Sequence, residues 1–124
     1  MDITPLIDSD QKVIQSYAKG QFRISGDIYQ TSVLVAPHYA MAWPHSTPLE
    51  LVDFQPLIDV ADSIDIVLLG TGEKTVFLAP ELRKALREAG LHVECMDTGA
   101  ACRTYSVLMA EGRRVVAALL PVPK

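Results

Sequence analysis

The residues with the clearest chemical potential follow a short apolar run near the middle of the chain. Gly70-Thr71-Gly72 comes directly after residues 66–69, and Glu73-Lys74-Thr75 follows it. Glycines close to Lys and Thr are typical of loops that bind nucleotide phosphates. The spacing fits neither nucleotide motif, because Thr75 replaces the third glycine of the dinucleotide pattern and Glu73 interrupts the Gly-Lys-Thr order of the P-loop. We interpret the glycines as a turn at the end of a strand.

A second polar stretch lies where another strand is predicted to pass into a helix. Asp97-Thr98 begins it, and Arg103 follows within the helix. The exposed N–H groups at a helix start favour an anion, which Arg103 is placed to reach. Asp97 or Thr98 can instead cap the helix with its own side-chain oxygen. We favour the cap.

These two stretches predict one candidate site. If the strands that precede them are parallel, both stretches lie at the carboxyl edge of the sheet, where open α/β sheets bind ligands. We predict that a ligand or partner protein binds there, without a catalytic residue, a metal or a cofactor. The candidate residues are Gly70, Thr71, Gly72, Met96, Asp97, Thr98, Arg103 and Thr104.

Histidines, cysteines and serines do not indicate a metal site or a catalytic nucleophile. The three histidines are scattered with no paired spacing, and the sequence contains no zinc-site pattern. The two cysteines, Cys95 and Cys102, do not form a C-x-x-C pair, so we expect reduced thiols. Ser46, Ser106 and Cys102 lack a nucleophile elbow or a neighbouring His and acid. We therefore expect binding rather than catalysis.

The first 45 residues have the pattern of antiparallel strands. Turn residues separate short runs of strand-forming residues. The predicted strands are residues 13–18, 21–24, 28–30, 32–36 and 39–43. Residues 1–11 contain Pro5 and a polar Asp8-Ser9-Asp10-Gln11 cluster, and we expect them to form a loose arm.

Two helix starts compete in the middle of the chain. Thr47-Pro48-Leu49-Glu50 has the form of a capping box, which predicts a start at Pro48. Asp53 can serve as the N-cap of a later helix with Pro56 in its first turn. Pro56 would break a helix that ran through from Pro48, so we favour the later start, with Leu57, Ile58 and Ala61 facing inward.

The second half alternates strands with helices. The predicted strands are residues 66–69, 91–96 and 114–120, and the predicted helices are residues 80–89 and the segment from Asp97 or Thr98 to Gly112. The uninterrupted apolar run at 66–69 is typical of a strand buried on both faces. We predict one α/β domain over residues 1–124, with a central mixed sheet, helices on its faces, antiparallel N-terminal strands and a βαβ C-terminal half.

Composition narrows the function classes. The 124 residues include 11 Lys and Arg against 15 Asp and Glu, giving a net charge of −4, which does not favour a nucleic-acid binder. No apolar run reaches the ~20 residues needed to cross a bilayer. The acidic start of the chain resembles neither a secretory signal nor a mitochondrial presequence. We expect a cytoplasmic protein.

Four blocks of this sequence resemble the adipogenesis-associated Mth-domain family. These blocks are residues 69–72, 80–90, 96–105 and 111–120, and the likeness extends from about Tyr17 to Leu120. The family contains small uncharacterised bacterial and archaeal proteins, whose mitochondrial relatives act as assembly factors for respiratory complex I. The resemblance implies an α/β fold around a mixed sheet, with no established enzyme activity or cofactor. Ser106 stands where the family often has Asn.

We consider three functions. The first is a non-enzymatic protein-binding or assembly factor, linked by the resemblance to complex I assembly. The second is a small-molecule binder or enzyme that uses a crevice between residues 70–72 and 97–104, with Arg103 holding an anion. The third is a homo-oligomer that forms when the front β-strands pair across a dimer edge.

Overall fold

The computed structural model describes residues 11–123, and the strands in this range form two sheets. The first sheet is antiparallel and contains β1 (Ile14–Ser16), β2 (Phe22–Ile24) and β3 (Asp27–Tyr29) in that order. Left-handed Lys19 and Gly20 turn the chain between β1 and β2, and Ser25 and Gly26 turn it between β2 and β3. Glycine adopts these backbone angles without steric cost.

The second sheet is mixed and has five strands. They are β4 (Val33–Ala36), β5 (Tyr39–Ala42), β6 (Ile66–Gly70), β7 (Val93–Met96) and β8 (Val115–Leu119). Their order is β5-β4-β8-β6-β7, in which β4 is antiparallel to β5 and β8, and β6 is parallel to β7 and β8. Continuous apolar side chains on β4, β6 and β8 explain why these strands lie inside the sheet.

The helices are α1 (Gln55–Ile58), α2 (Pro80–Glu88) and α3 (Thr98–Ala110), with short 3₁₀ segments at Leu51–Phe54 and Ala61–Ser63. Pro80 begins α2, and Gly90 follows it with a left-handed φ of 94°. Gly112 follows α3 with a φ of 79°. These two glycines end the helices where other residues would be strained.

The two faces of the mixed sheet support separate apolar cores. On one face, α3 contributes Ala101, Tyr105 and Met109, and the three-stranded sheet contributes Phe22 and Ile24. On the other face, buried side chains from the helices and the preceding loop pack against the sheet. They are Trp43, Phe54, Leu57 and Leu86. The mixed sheet is therefore covered on both faces.

The predicted fold class is confirmed. A mixed sheet has helices on its faces, and the strands of the first half of the chain pair with one another in antiparallel orientation. The front strands divide in a way that the sequence did not reveal, because β1–β3 form their own sheet while β4 and β5 extend the central one. Residues 1–10 of the predicted arm lie outside the described residues. That residues 1–124 form a single domain stays a prediction. No helix within residues 11–123 has the length and apolar character to span a membrane.

The predicted helix start at Pro48 was wrong, and the favoured later helix begins at Gln55, one residue after the start that Asp53 as N-cap predicted. Asp53 lies inside the 3₁₀ segment rather than at the N-cap of α1, which is Phe54. The capping box involves Glu50 and Asp53, not Thr47 and Glu50. The Asp53 carboxylate accepts hydrogen bonds from the N–H groups of Ser46 (2.9 Å) and Glu50 (2.7 Å), so it stabilises the preceding loop. Pro56 does lie in the first turn of α1.

Candidate functional site

The Gly-Thr-Gly turn and the start of α3 lie side by side at the carboxyl edge of the mixed sheet. Gly70 is paired with Met96 in the parallel β6–β7 ladder. The Thr71 N–H donates to the Met96 carbonyl (2.9 Å), and the Thr98 N–H donates to the Gly72 carbonyl (2.8 Å). The parallel arrangement that the sequence predicted therefore brings the two polar stretches together.

The Thr98 hydroxyl connects this edge to the strand on its other side. Thr98 is fully buried. Its hydroxyl accepts a hydrogen bond from the Gly72 N–H (2.8 Å) and donates one to the Leu120 carbonyl (2.6 Å). One side chain thus joins the turn after β6, the start of α3 and the end of β8. Thr98 has a structural role at this edge.

Asp97 caps α3. Its carboxylate accepts a hydrogen bond from the Ala100 N–H at 2.9 Å, and its backbone is extended as an N-cap requires. Of the two predicted caps, Asp97 is the one that the structure shows, since the Thr98 hydroxyl binds the turn instead. The helix start therefore already has a carboxylate from its own chain.

The space directly between the two stretches is filled. A Cβ added to Gly70 would lie 2.9 Å from Leu119 Cδ2 and 3.0 Å from both Cα and Oγ1 of Thr98. Such distances are shorter than ordinary van der Waals contacts. Glycine at this position allows β6 to approach α3, and accessible grooves lie on either side of the junction rather than within it.

The first groove, which we call the apolar groove, lies beside Thr71. It has a volume of about 360 Å³. Its lining includes Pro48, Leu49, Thr71, Val76, Phe77 and Leu82. The Thr71 hydroxyl donates to the Lys74 carbonyl (2.6 Å) and accepts from the Val76 N–H (2.9 Å), which fixes the turn that leads to Phe77. The Phe77 side chain is 72% exposed and that of Val76 is 59% exposed.

The second groove, which we call the Arg103 groove, lies between β1 and α3. It has a volume of about 490 Å³ and is lined by residues 14–18 together with Cys102, Arg103 and Ser106. Arg103 is exposed and forms no ion pair with any described carboxylate. A Cβ on Gly99 would lie 2.7 Å from Tyr17 Oη and 3.3 Å from Arg103 Nη1, so both polar groups converge on the first turn of α3.

The thiol in the Arg103 groove is not suited to nucleophilic chemistry. Burial raises the pKa of Cys102 to about 12; Arg103 opposes this shift and Asp97 adds to it. The thiolate is the reactive form of cysteine, so a thiol with this pKa is inert near neutral pH. Within residues 11–123, His, Cys, Asp and Glu side chains form no group of three that could hold a metal ion.

Apart from Asp97, which caps α3, and Thr104, the predicted site residues fall into two sets. Gly70, Gly72 and Thr98 are buried, and Met96 packs partly against the α3 core, so these residues shape the edge from inside. Thr71 lines the apolar groove, whereas Arg103 lines the other groove. Thr104 is half-buried on α3 and lines neither groove.

Sequence reasoning missed Val76 and Phe77 as candidate contact residues. Residues 75–78 lie between the glycine turn and α2 and carry no motif. Two large apolar residues in a connection with no strand pattern, directly after a glycine turn, were the available signal. The structure shows that no β partner covers this segment within the described chain.

This chain matches a described protein family and is similar to several known proteins. Residues 14–120 match the family described as protein of unknown function (DUF498/DUF598). The mouse protein NADH dehydrogenase (ubiquinone) 1 alpha subcomplex assembly factor 3 is 34% identical over 112 residues, which cover 89% of this chain. The chain spans about 60% of the length of that mouse relative.

Two solved structures have the same fold. The solution NMR structure of a Bordetella pertussis protein, described as a Mth938-like domain, has a TM-score of 0.77 and 29% sequence identity, covering 98% of this chain and 89% of that one. The crystal structure of a protein from Bartonella henselae, named an outer membrane protein, has a TM-score of 0.82 and 32% identity, covering 92% of this chain and 98% of that one.

Proposed function

We propose that this chain, which belongs to the DUF498/DUF598 family and so to the Mth-domain proteins, is a non-enzymatic protein-binding factor that assists the assembly of a larger complex. The observation that carries the proposal is the 34% identity to a mouse NADH dehydrogenase assembly factor over 89% of this chain. Because the chain covers about 60% of that relative, the proposal concerns the function of this shared part.

The apolar groove supports a protein-binding role. Large aromatic side chains that remain exposed on a folded domain mark protein interfaces more often than isolated aliphatic ones do. Phe77 is 72% exposed, next to Val76, and both line a concave surface with Leu49 and Leu82. A partner that covered Phe77 would remove its apolar surface from water without disturbing the core.

The fixed backbone beneath the groove supports the same role. Thr71 holds the turn through hydrogen bonds to Lys74 and Val76, and Thr98 holds Gly72. Phe77 is therefore presented from a connection whose start is anchored to the sheet. Such preorganisation lowers the entropy lost on binding.

Affinity capture tests the proposal. The tagged protein is crosslinked in its own cells and isolated, and the proteins that accompany it are identified by mass spectrometry. We expect subunits or assembly proteins of the respiratory NADH dehydrogenase. Recovery of no specific protein under crosslinking would contradict the proposal.

A separate experiment addresses location. We propose a cytoplasmic location, while one structural relative is named an outer membrane protein. Fractionation of cells that contain the untagged chain, with immunodetection in cytoplasmic and envelope fractions, distinguishes the two. A chain that is recovered only in the outer membrane would contradict a cytoplasmic location.

A second candidate function is the binding of a small anion in the Arg103 groove. The observation that favours it is the exposed guanidinium of Arg103, which lines a groove of about 490 Å³ and forms no ion pair within the described chain. Calorimetric titration with phosphate and with acetate tests it. Heat that is lost in Arg103→Gln but kept in Arg23→Gln, at an exposed position outside the grooves, supports the anion site, and equal heats in both variants contradict it.

A further inference from the structure

An open edge of the mixed sheet lies on the side of the molecule that carries α2. β7 is the last strand in the order, and it pairs only with β6 among residues 11–123. An edge strand has N–H and C=O groups that lack a strand partner on one side. Such an edge can bind an extended peptide as an additional strand.

Hydrogen bonds show which groups of β7 face the open side. The His92 carbonyl accepts from the Val67 N–H (2.8 Å), and the Met96 carbonyl accepts from the Thr71 N–H (2.9 Å). Residues at alternate positions of a strand direct their backbone groups to opposite sides. Val93 and Cys95 therefore direct their N–H and C=O groups away from β6. Two residues of β7 are available to pair with an incoming strand.

A groove lined by two arginines, and also by His92 and Glu94 of the strand, runs beside this edge, and we call it the β7–α2 groove. It has a volume of about 390 Å³. Arg83 and Arg87 line it from α2, one helical turn apart, and Leu86 and Leu91 form its apolar floor. Both arginines are exposed, and neither forms an ion pair with a described carboxylate. The groove thus combines open backbone groups with two guanidinium groups.

The two faces of β7 differ in charge. The Val93 and Cys95 side chains pack in the same core cluster as Leu86, on the α2 face. Glu94 is paired with Leu68, whose side chain lies in the opposite cluster, and its carboxylate contacts His92 Nε2 at 2.9 Å. The face with Arg83 and Arg87 therefore favours acidic side chains, and the face with Glu94 does not.

We propose that the open edge of β7 binds an extended acidic segment of a partner protein as an added strand. Backbone hydrogen bonds to Val93 and Cys95 hold the segment, and its carboxylates contact Arg83 and Arg87. Because side chains alternate along a strand, the acids occupy every second position of the segment. This inference rests on the proposed protein-binding function and names the chemistry of the partner.

Charge favours this occupant over a second copy of the chain. Pairing of two β7 edges in antiparallel orientation would place both α2 helices on the same face of a continuous sheet. Arg83 and Arg87 of each copy would then lie near those of the other. Like charges that face each other across an interface oppose association.

Continuity with the apolar groove also supports a partner protein. Leu78 lines both the apolar groove and the β7–α2 groove. One partner can therefore cover Phe77 and place an extended segment along β7. The apolar groove requires a surface that covers Phe77, and β7 requires an extended segment. Each surface can therefore be tested separately.

A displayed octapeptide library, selected on the purified full chain, tests the proposal. We expect enriched peptides in which Asp or Glu recurs at every second position. The selected peptide should bind Arg83→Glu/Arg87→Glu roughly tenfold or more weakly. A matched variant, Arg23→Glu/Lys84→Glu, makes the same charge change at exposed positions outside the groove and should stay within about twofold of the unmodified chain.

The backbone pairing has its own control. Cys95→Pro removes one of the two outward N–H groups of β7, whereas Cys95→Ala keeps it, and we expect only the proline variant to lose the peptide. If Cys95→Pro does not fold by circular dichroism, the selected peptide is N-methylated at alternate residues instead. The peptide has two alternating sets of residues, and methylation of one of these sets should abolish binding to the unmodified chain.

Several results would overturn the proposal. They are a selection without enrichment, enrichment without acids, equal binding to the two double variants, and binding that is insensitive to both backbone changes. Dimerisation in sedimentation experiments that Cys95→Pro abolishes would identify a second copy as the occupant. The library contains no assembly partner, so failure here leaves the affinity-capture result intact, and an empty capture leaves the peptide result intact.

Discussion

The Thr98 hydroxyl accepts a hydrogen bond of 2.8 Å from the backbone N–H of Gly72, 26 positions earlier in the chain. The same hydroxyl donates to the Leu120 carbonyl at 2.6 Å. This side chain joins three elements at the carboxyl edge of the sheet. It therefore gives the candidate site its shape, although it is itself inaccessible to a partner.

Replacing Thr98 with Val should destabilise the protein by about 1–3 kcal/mol, because the Gly72 N–H and the Leu120 carbonyl would lose a buried partner at unchanged side-chain volume. Urea unfolding measured by the fluorescence of Trp43, the only tryptophan, gives the free energy of unfolding. Thr104→Val on the same helix is the matched control, since Thr104 is half-buried. Equal losses in the two variants would contradict the role of the Thr98 hydroxyl.

Gly70→Ala should cost more than Gly99→Ala. A Cβ at Gly70 would clash with the backbone and side chain of Thr98 and with Leu119, whereas the closest atom to a Cβ at Gly99 is the hydroxyl at the tip of the Tyr17 side chain, with no backbone atom among the nearest. We expect a loss of about 1–3 kcal/mol for Gly70→Ala. Urea unfolding of both variants measures it. A larger loss of unfolding free energy for Gly99→Ala would contradict the prediction that the close contact of β6 with α3 makes Gly70 the more sensitive position.

Asp53 should make stability fall at acidic pH. Burial alone would raise its pKa, but hydrogen bonds from the Glu50 and Ser46 N–H groups and from the Ser46 hydroxyl, together with the electrostatic effect of His45, bring the pKa below its ordinary value of 3.8. A carboxylate with a lowered pKa stabilises the fold above its unfolded pKa, and this contribution disappears as pH falls through the folded value.

The difference in unfolding free energy between the unmodified chain and Asp53→Asn should therefore be constant near neutral pH. It should shrink as the pH falls through and below 3.8. Urea unfolding at a series of pH values measures it. The indole N–H of Trp43 donates to the Asp53 carbonyl at 2.8 Å, so Trp43 fluorescence reports on this loop directly. A difference that stays constant down to the acid limit would contradict the lowered pKa.

The two cysteines should differ in reactivity. Cys102 is 5% exposed and burial raises its pKa to about 12, whereas Cys95 is only half-buried. We expect DTNB to titrate one thiol quickly in the folded chain and both thiols in urea. Cys95→Ala should remove the fast phase. A fast phase that persists in this variant would show that the Cys102 site opens in solution.

Phe77 should matter for binding and not for folding. Its side chain is 72% exposed, so Phe77→Ala should change the free energy of unfolding by no more than about 0.5 kcal/mol. We expect the same substitution to reduce the recovery of crosslinked partners in affinity capture. Val107→Ala removes a side chain that is 57% exposed on α3 and serves as the control. Equal recovery with both variants would place the partner surface elsewhere.

The sequence by itself determined the elements of the second half, because their signals are local. The unbroken apolar run before Gly70 predicted a buried strand, and Pro80 and Gly90 marked a helix that the structure places at Pro80–Glu88. Asp97 was one of two predicted caps, and each of these assignments depends on residues within one or two turns of chain. The family resemblance, which some of the same residues carry, implied the same α/β fold. The match of residues 14–120 to the DUF498/DUF598 family confirmed that resemblance.

The tertiary structure alone decided what depends on distant residues. Asp53 was predicted to cap a helix, but Ser46 and Glu50 bind its carboxylate because the loop folds back on it. The separation of β1–β3 from the central sheet depends on their packing against α3, about 80 positions later. The open edge of β7 follows from strand order, which periodicity does not encode. Local chemistry therefore predicted the elements, and long-range packing determined which surfaces remain accessible.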